Sequence, residues 1–183
     1  MTEALKTESK NGNCYFNKME TLKLSEIIGR QIAEIRYYYS PETDAEYSIQ
    51  SCITFLKLEN NWIIDIPIFD DDDFITLTPE NRRYFQENFE AGNTINKTAA
   101  KLIQGITIED ILFSCKGDEP DFDRSSFIKL SNGYYLTELR YAPNGIPVGP
   151  RILNEEEYIK EVKRLNSIEL HIRSFAETSG NRL

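Results

Sequence analysis

Histidine occurs once in this chain, tryptophan once, methionine twice and cysteine three times. Each shortage removes a class of chemistry. A lone histidine, His171, beside three cysteines in no C-x-x-C pair gives no zinc-ligand spacing. The odd cysteine number argues against a disulfide framework and for a reducing compartment. Cys52 and Cys115 sit in apolar, strand-like stretches, where cysteine acts as a small buried hydrophobe, and Cys14 lies near the start. There is no G-x-S-x-G to anchor a serine hydrolase, no phosphate-binding P-loop and no G-x-G-x-x-G. No apolar run reaches the roughly 18 residues of a membrane span, and the opening MTEALKTESKNGNCYFNKME contains no apolar core of signal-peptide length. These absences point away from catalysis, cofactors and the membrane, and toward a cytoplasmic protein.

Basic residues are the minority. Lys and Arg number 21 against 30 Asp and Glu, for a net charge of −9. Phosphate backbones are held by Lys and Arg, so nucleic acid is not expected as a partner. A basic protein or a cation is the complementary partner, and the charge also serves solubility.

What the chain does have is a phrase used twice. ITFLKLENNWIIDI begins at Ile53 and SFIKLSNGYYLTEL at Ser126; IIGRQIAEIRYYYS precedes the first from Ile27 and LIQGITIEDILFSC the second from Leu102. Gly29 falls on Gly105, Ile32 on Ile108, Ile35 on Ile111, Phe55 on Phe127, Leu58 on Leu130, Asn60 on Asn132 and Trp62 on Tyr134. The period, roughly 72–76 residues, exceeds any solenoid repeat and fits a duplicated domain. Each phrase reads as a hairpin, with Asn132-Gly133 predicting a type I′ turn in which both central residues take positive φ, and Asn60-Asn61 in the same place. Strands are expected before each hairpin, over 30–39 and 106–115. Ile32 and Ile35, three apart, cannot share one face of a regular strand, so a bulge or a helical start is expected there, and Gly29 and Gly105 mark a turn.

Each half then closes with a helix. Thr78 is a candidate N-cap, Pro79 the first helical residue and Gly92 the stop, with Tyr84, Phe85 and Phe89 as the buried face. Asn154 and Glu157 form a capping box for the second helix, along which Tyr158, Val162, Leu165 and Ile172 keep helical spacing, with His171 near its end. The expected fold is α+β: two related halves, 21–93 and 94–173, each a hairpin-rich antiparallel sheet of three or four strands followed by a helix, with loose tails at 1–20 and 174–183.

Three groups of residues are candidate sites. The loops after the first strand of each half carry alternating acids, Glu42, Asp44 and Glu46 in one and Glu119, Asp121 and Asp123 in the other. In an extended segment each triplet lines one face, either to defend a strand edge or to dock a basic partner. Trp62 and Tyr134, at matching places, are candidate walls of a small-ligand pocket between the halves. Asp70, Asp71, Asp72 and Asp73 are contiguous and make a poor metal cage, since Ca²⁺ loops space their ligands; they read first as a solvated loop. A carboxylate- or metal-dependent enzyme is the third functional reading, behind an interaction module and a ligand-binding protein.

The pattern G-x-x-I-x-x-I, a polar loop, and a hydrophobic strand ending L-x-N-[NG]-[WY] resembles that of small uncharacterised bacterial proteins, some of them similar to the immunity proteins of polymorphic toxin systems. The resemblance spans about 30 residues in each half and transfers no catalytic residue. It implies an intracellular acidic binding protein.

Overall fold

The computed structural model describes residues 20–44, 49–66, 74–77, 79–120, 126–138 and 150–175. In chain order the elements are β1 (Glu20–Lys23), α1 (Leu24–Ile27), β2 (Ile32–Asp44), β3 (Ile49–Leu58), β4 (Ile63–Ile66), β5 (Phe74–Leu77), α2 (Pro79–Ala91), β6 (Asn93–Thr94), α3 (Lys97–Ala100), β7 (Ile108–Lys116), β8 (Glu119–Pro120), β9 (Ser126–Leu130), β10 (Tyr135–Glu138), β11 (Pro150–Leu153), α4 (Glu155–Asn166) and β12 (Leu170–Ser174). The fold is α+β. One sheet has the order β4-β3-β2-β6 and a second the order β11-β10-β9-β7-β12, with β8 also on β7; β1 and β5 form a separate pair. All pairings are antiparallel.

The two larger sheets share one plan. In each, three strands form a meander (β2-β3-β4 and β7-β9-β10), and a helix, α2 or α4, precedes a last strand that returns to the outer side of the first. They differ in the strand before the helix: β5 pairs with β1, whereas β11 joins β10.

The repeated phrases fold by the same hydrogen bonds. Leu58 N–H donates to Trp62 O at 2.8 Å and Asn61 N–H to Leu58 O at 2.9 Å; the counterparts are Leu130 to Tyr134 at 2.8 Å and Gly133 to Leu130 at 3.0 Å. Both loops therefore have three residues. Only the third takes positive φ, Asn61 at 66° and Gly133 at 82°. This is a type I turn followed by one left-handed residue, not the predicted type I′ turn with two. The first asparagine of each loop serves another purpose: Asn60 Oδ1 accepts from Trp62 N–H at 3.2 Å and Asn132 Oδ1 from Tyr134 N–H at 3.4 Å. A side-chain acceptor two residues back mimics a backbone turn, which explains why asparagine recurs there.

Bulges settle the spacing of the isoleucines. The β2–β3 register shifts between Ile32 and Glu34, and the β7–β9 register shifts between Ile108 and Asp110. The extra residue turns the strand so that Ile32 and Ile35, and likewise Ile108 and Ile111, are all buried. Just before each bulge the segments around Gln31 and Thr107 cross. Gln31 and Thr107 form an antiparallel bridge. Around it Gly29 N–H donates to Ile108 O (2.8 Å) and Gly105 N–H to Ile32 O (2.8 Å), while Ile32 N–H donates to Ile106 O (3.0 Å) and Ile108 N–H to Arg30 O (2.8 Å). The exchange is reciprocal, as a local twofold relation requires. Gly29 and Gly105 sit at φ 86° and 76°, a left-handed turn that lets both chains enter the crossing.

One hydrophobic cluster unites both sheets through this crossing: Ile27, Ile32, Ile35, Phe55, Leu56 and Leu58 meet Ile103, Ile108, Ile111, Ile128, Leu130 and Leu136. Phe85 and Phe89 of α2 join it, Phe85 lying 5.9 Å from the Phe55 ring. Tyr84, expected on the same buried face, is exposed. Its neighbour Phe85 occupies the inward position, and a helix turns adjacent side chains apart. Gly92 follows α2 where a side chain would be crowded: a Cβ there would lie 3.1 Å from Asn88 O and 3.2 Å from Tyr37 O.

The second sheet is covered on both faces. Ile111, Ile128 and Leu136 enter the shared cluster, while their chain neighbours Leu112, Phe127 and Tyr135 point to a second cluster with Leu153, Leu165 and Leu170. Burial on both faces explains the unbroken buried run 111–115, which a half-exposed strand would not show. Cys115 in that run is buried, and burial pushes its thiol pKa up, which keeps it unreactive.

The helix α4 begins as expected. Asn154 Oδ1 accepts from Glu157 N–H at 3.0 Å and Glu157 Oε2 accepts from Asn154 N–H at 2.9 Å. It stops earlier than expected, at Asn166. Glu169 takes φ 64°, and the chain reverses into β12, which pairs Ile172 with Ser114 and His171 with Cys115. Ile172 and His171 are thus strand residues, not helix residues. The gain is an extra partner for the outer edge of β7, which outweighs two more turns of a helix whose end would face water. Ser174, placed by sequence in a tail, is the last residue of that strand. Thr78, the candidate cap of α2, lies outside the described residues.

Two predictions arise from the core. Thr54 Oγ1 is buried with no hydrogen-bond partner among the described residues, whereas Thr137 Oγ1, also buried, donates to Ser126 O at 2.6 Å. An unsatisfied buried hydroxyl costs about 1–3 kcal/mol, so Thr54→Val should raise stability by about 1 kcal/mol. Urea denaturation with an unchanged slope is the check, and Thr137→Val, which removes a made bond, should go the other way.

The second concerns alkali. Tyr135 and Tyr158 stack with ring centroids 3.9 Å apart, and Tyr135 Oη donates to Glu155 at 3.2 Å. Burial, then the neighbouring Tyr135 and Glu155, push the Tyr158 pKa up to about 12. Burial and Glu155 raise that of Tyr135 as well. In the unfolded chain both ionise near the ordinary value of about 10. Raised folded values give stability that is complete below pH 10 and is lost as pH rises through about 12. Absorbance titration of tyrosinate should show most tyrosines ionising first and the last fraction appearing together with unfolding.

Candidate functional site

Strand β2 contributes to two features, one at each end. Its early residues Ile35 and Tyr37 form one wall of a cleft of about 1290 Å³. The segment after α2 forms the second wall, from Thr94 through Ala99, with Leu102 and Ile103; Pro150 and Ile152 of β11 close the third side. The cleft therefore lies between the edge strand of one sheet, β6, and the edge strand of the other, β11. Its floor is apolar, since Ile35 and Ile103 belong to the shared core. Its rim is polar, with Thr94, Asn96, Lys97 and Thr98 exposed. Asn96 caps the short α3, its Oδ1 accepting from Ala99 N–H at 2.8 Å.

The far end of β2 makes a ribbon with β3. Beyond Tyr37 and Thr54, β6 and β4 no longer pair with them: β6 meets only Arg36 and Tyr37, and β4 only Thr54 to Lys57. Tyr38–Asp44 and Ile49–Ile53 are strands paired only to each other among the described elements, with a register shift between Tyr39 and Thr43. At strand spacing this two-stranded segment is roughly 20–25 Å long.

The sequence-predicted residues distribute as follows. Glu42 falls within the register shift of β2, and Asp44 faces Ile49 at the end of the ribbon. Glu119 is exposed on β8 opposite Lys116, across a turn in which Gly117 takes φ 62°. Asp118 beside it contacts Arg173 of β12. Glu46, Asp121 and Asp123 lie outside the described residues, as do Asp70, Asp71, Asp72 and Asp73. Trp62 and Tyr134 are half-buried and pack on the shared core behind their hairpin loops. The Arg30 guanidinium lies 5.6 Å from the Trp62 ring centroid and 3.8 Å from the Glu59 carboxylate. Neither aromatic residue lines the cleft. His171 is exposed on β12, and among the described residues no group of three or more His, Cys, Asp or Glu stands close enough to hold a metal ion. No helix among them is long and apolar enough to cross a membrane.

The residues that the sequence reading passed over are those of the cleft. Nothing local in the sequence marks Ile35 and Ile152 as neighbours of Lys97. Comparison with protein-family models, with curated proteins and with solved structures finds no match for the chain.

Proposed function

We propose that the protein is an acidic protein-interaction module of the bacterial cytoplasm, an inhibitor in the manner of an immunity protein, whose partner is a basic protein. The observation that supports this reading is the β2–β3 ribbon. A two-stranded ribbon by itself is marginal in water, and among the described elements this one extends past the third strands of its sheet, with Tyr38 and Tyr39 at its start and Glu42 and Asp44 toward its end. Tyrosine is enriched where proteins meet. Acidic groups on a chain of net charge −9 speed encounter with a basic surface and favour it over acidic competitors.

The test is purification of the tagged protein's partners from its native lysate at low salt, beside a variant carrying Glu42→Gln, Asp44→Asn and Glu119→Gln. One basic protein is expected with the wild type and not with the variant. With that protein purified, the variant should associate more slowly and with a weaker salt dependence. Equal association rates at every salt concentration would count against the ribbon as the contact.

The cleft between the sheets favours a second reading, a binding site for a small ligand. Clefts between structural units are where such ligands bind.

A further inference from the structure

We infer that the cleft between β6 and β11 binds an aliphatic carboxylate, with its chain on the apolar floor and its head group at Lys97. The inference rests on the ligand-binding reading above and names the class of ligand.

Charge distinguishes this cleft from the rest of the molecule. Asp and Glu outnumber Lys and Arg by 30 to 21 in the chain, yet among the described residues that line the cleft none is acidic and Lys97 is the one charged side chain. Lys97 is exposed and has no ion-pair partner among the described residues. Asn96 uses its Oδ1 on Ala99 N–H, which leaves its amide hydrogens to donate, and the Thr94 and Thr98 hydroxyls stand on the same rim. The rim thus offers donors and one positive charge, the complement of a monoanion. A phosphate, with two charges, is commonly met by arginine forks, and no arginine stands among the described residues that line this cleft.

The floor selects the body of the ligand. Ile35, Ile95, Leu102, Ile103, Pro150 and Ile152 are aliphatic, and Tyr37 is the only ring. Aliphatic walls bind an alkyl chain by burying its surface, with about 0.8 kcal/mol for each methylene fully removed from water. They provide little of the ring stacking that selects a flat aromatic ligand. The volume, about 1290 Å³, exceeds the usual range for a compact ligand and leaves room for a chain of ten carbons or more.

The experiment is calorimetric titration of the full-length protein with decanoate, below the concentration at which it forms micelles. Decyltrimethylammonium and 1-decanol serve as probes with the same chain and a cationic or neutral head. The expected result is saturable binding of decanoate, weaker binding of decanol and the weakest binding of the cation. Lys97→Gln, an exposed change that leaves the core untouched, should weaken decanoate by about 1.5-fold to fivefold, the range for one exposed charge pair, and leave decanol unchanged. Amide chemical-shift changes should be confined to residues 94–103, 150–153 and their contacts on β2. Decanol bound in the cleft as tightly as decanoate, or equal decanoate affinity in Lys97→Gln, would overturn the carboxylate assignment while leaving a ligand cleft in place. No saturable binding of any of the three probes, or shifts confined to another face, would overturn both.

Discussion

Phe127→Ala is expected to cost about 3–5 kcal/mol of folding free energy, the range for removing a buried phenylalanine. The ring is fully buried and meets Tyr158 edge to face with centroids 5.2 Å apart. It belongs to the smaller of the two clusters, the one that α4 covers through Leu165 and Tyr158. A small cluster has few side chains that can shift to fill a gap, so the loss should fall in the upper part of that range. A second readout separates this account from general loosening. Without Phe127 the stacked tyrosines gain water on one side, so the raised pKa of Tyr158 should move down toward 10. Urea denaturation at pH 7 and a tyrosinate titration on the same variant give both values. A stability loss below 1 kcal/mol, or an unmoved Tyr158, would contradict the packing described for α4.

The second large effect belongs to the crossing. Ile32→Ala and Ile108→Ala should each cost about 2–5 kcal/mol, since both side chains are fully buried. Their backbones are bonded across the crossing, each receiving a hydrogen bond from the other half's glycine. Substitutions that share a backbone exchange and a cluster do not add; coupling of about 0.5–3 kcal/mol is usual for such neighbours. The double variant should therefore differ from the sum of the single ones, while Ile32→Ala combined with Leu165→Ala, which lies in the other cluster, should be additive. Additivity at the crossing would mean that the halves are stabilised independently.

Much of this fold was legible in the sequence because its turns are made of short-range chemistry. Asparagine followed by asparagine or glycine between apolar runs marked both hairpins, and glycines 29 and 105 marked the turns into the crossing. The bulge was legible too, as a conflict: two isoleucines three apart in an otherwise strand-like stretch. What was misread depended on partners distant in sequence. Helical spacing carried the last helix through Ile172, but the open edge of β7, invisible from the local pattern, draws that segment into β12. Tyr84 and Phe85 both carry large rings, and the direction of the helix puts Phe85 inward and leaves Tyr84, with its hydroxyl, exposed. The acidic loops caught attention because acids stand out in one dimension. The cleft did not, because its walls come from β2, the segment after α2 and β11, and its defining property is that acids are missing from it.

The crossing also has a kinetic consequence. Each hairpin loop closes over three residues through its own short-range bonds, an event on the microsecond scale. The bonds around Gln31 and Thr107 instead join segments separated by the whole of α2 and the first meander. Closing so long a loop is slow, and its entropy is repaid only when the shared cluster forms. Both hairpins should then be present early, with the rate of folding set by their meeting. Substitutions that weaken the preformed hairpins would then slow folding with little change in the unfolding rate, and substitutions at the crossing would divide their effect between folding and unfolding. In that order of events the two meanders search for each other as preformed units within one chain, at a local concentration that the connecting segment fixes.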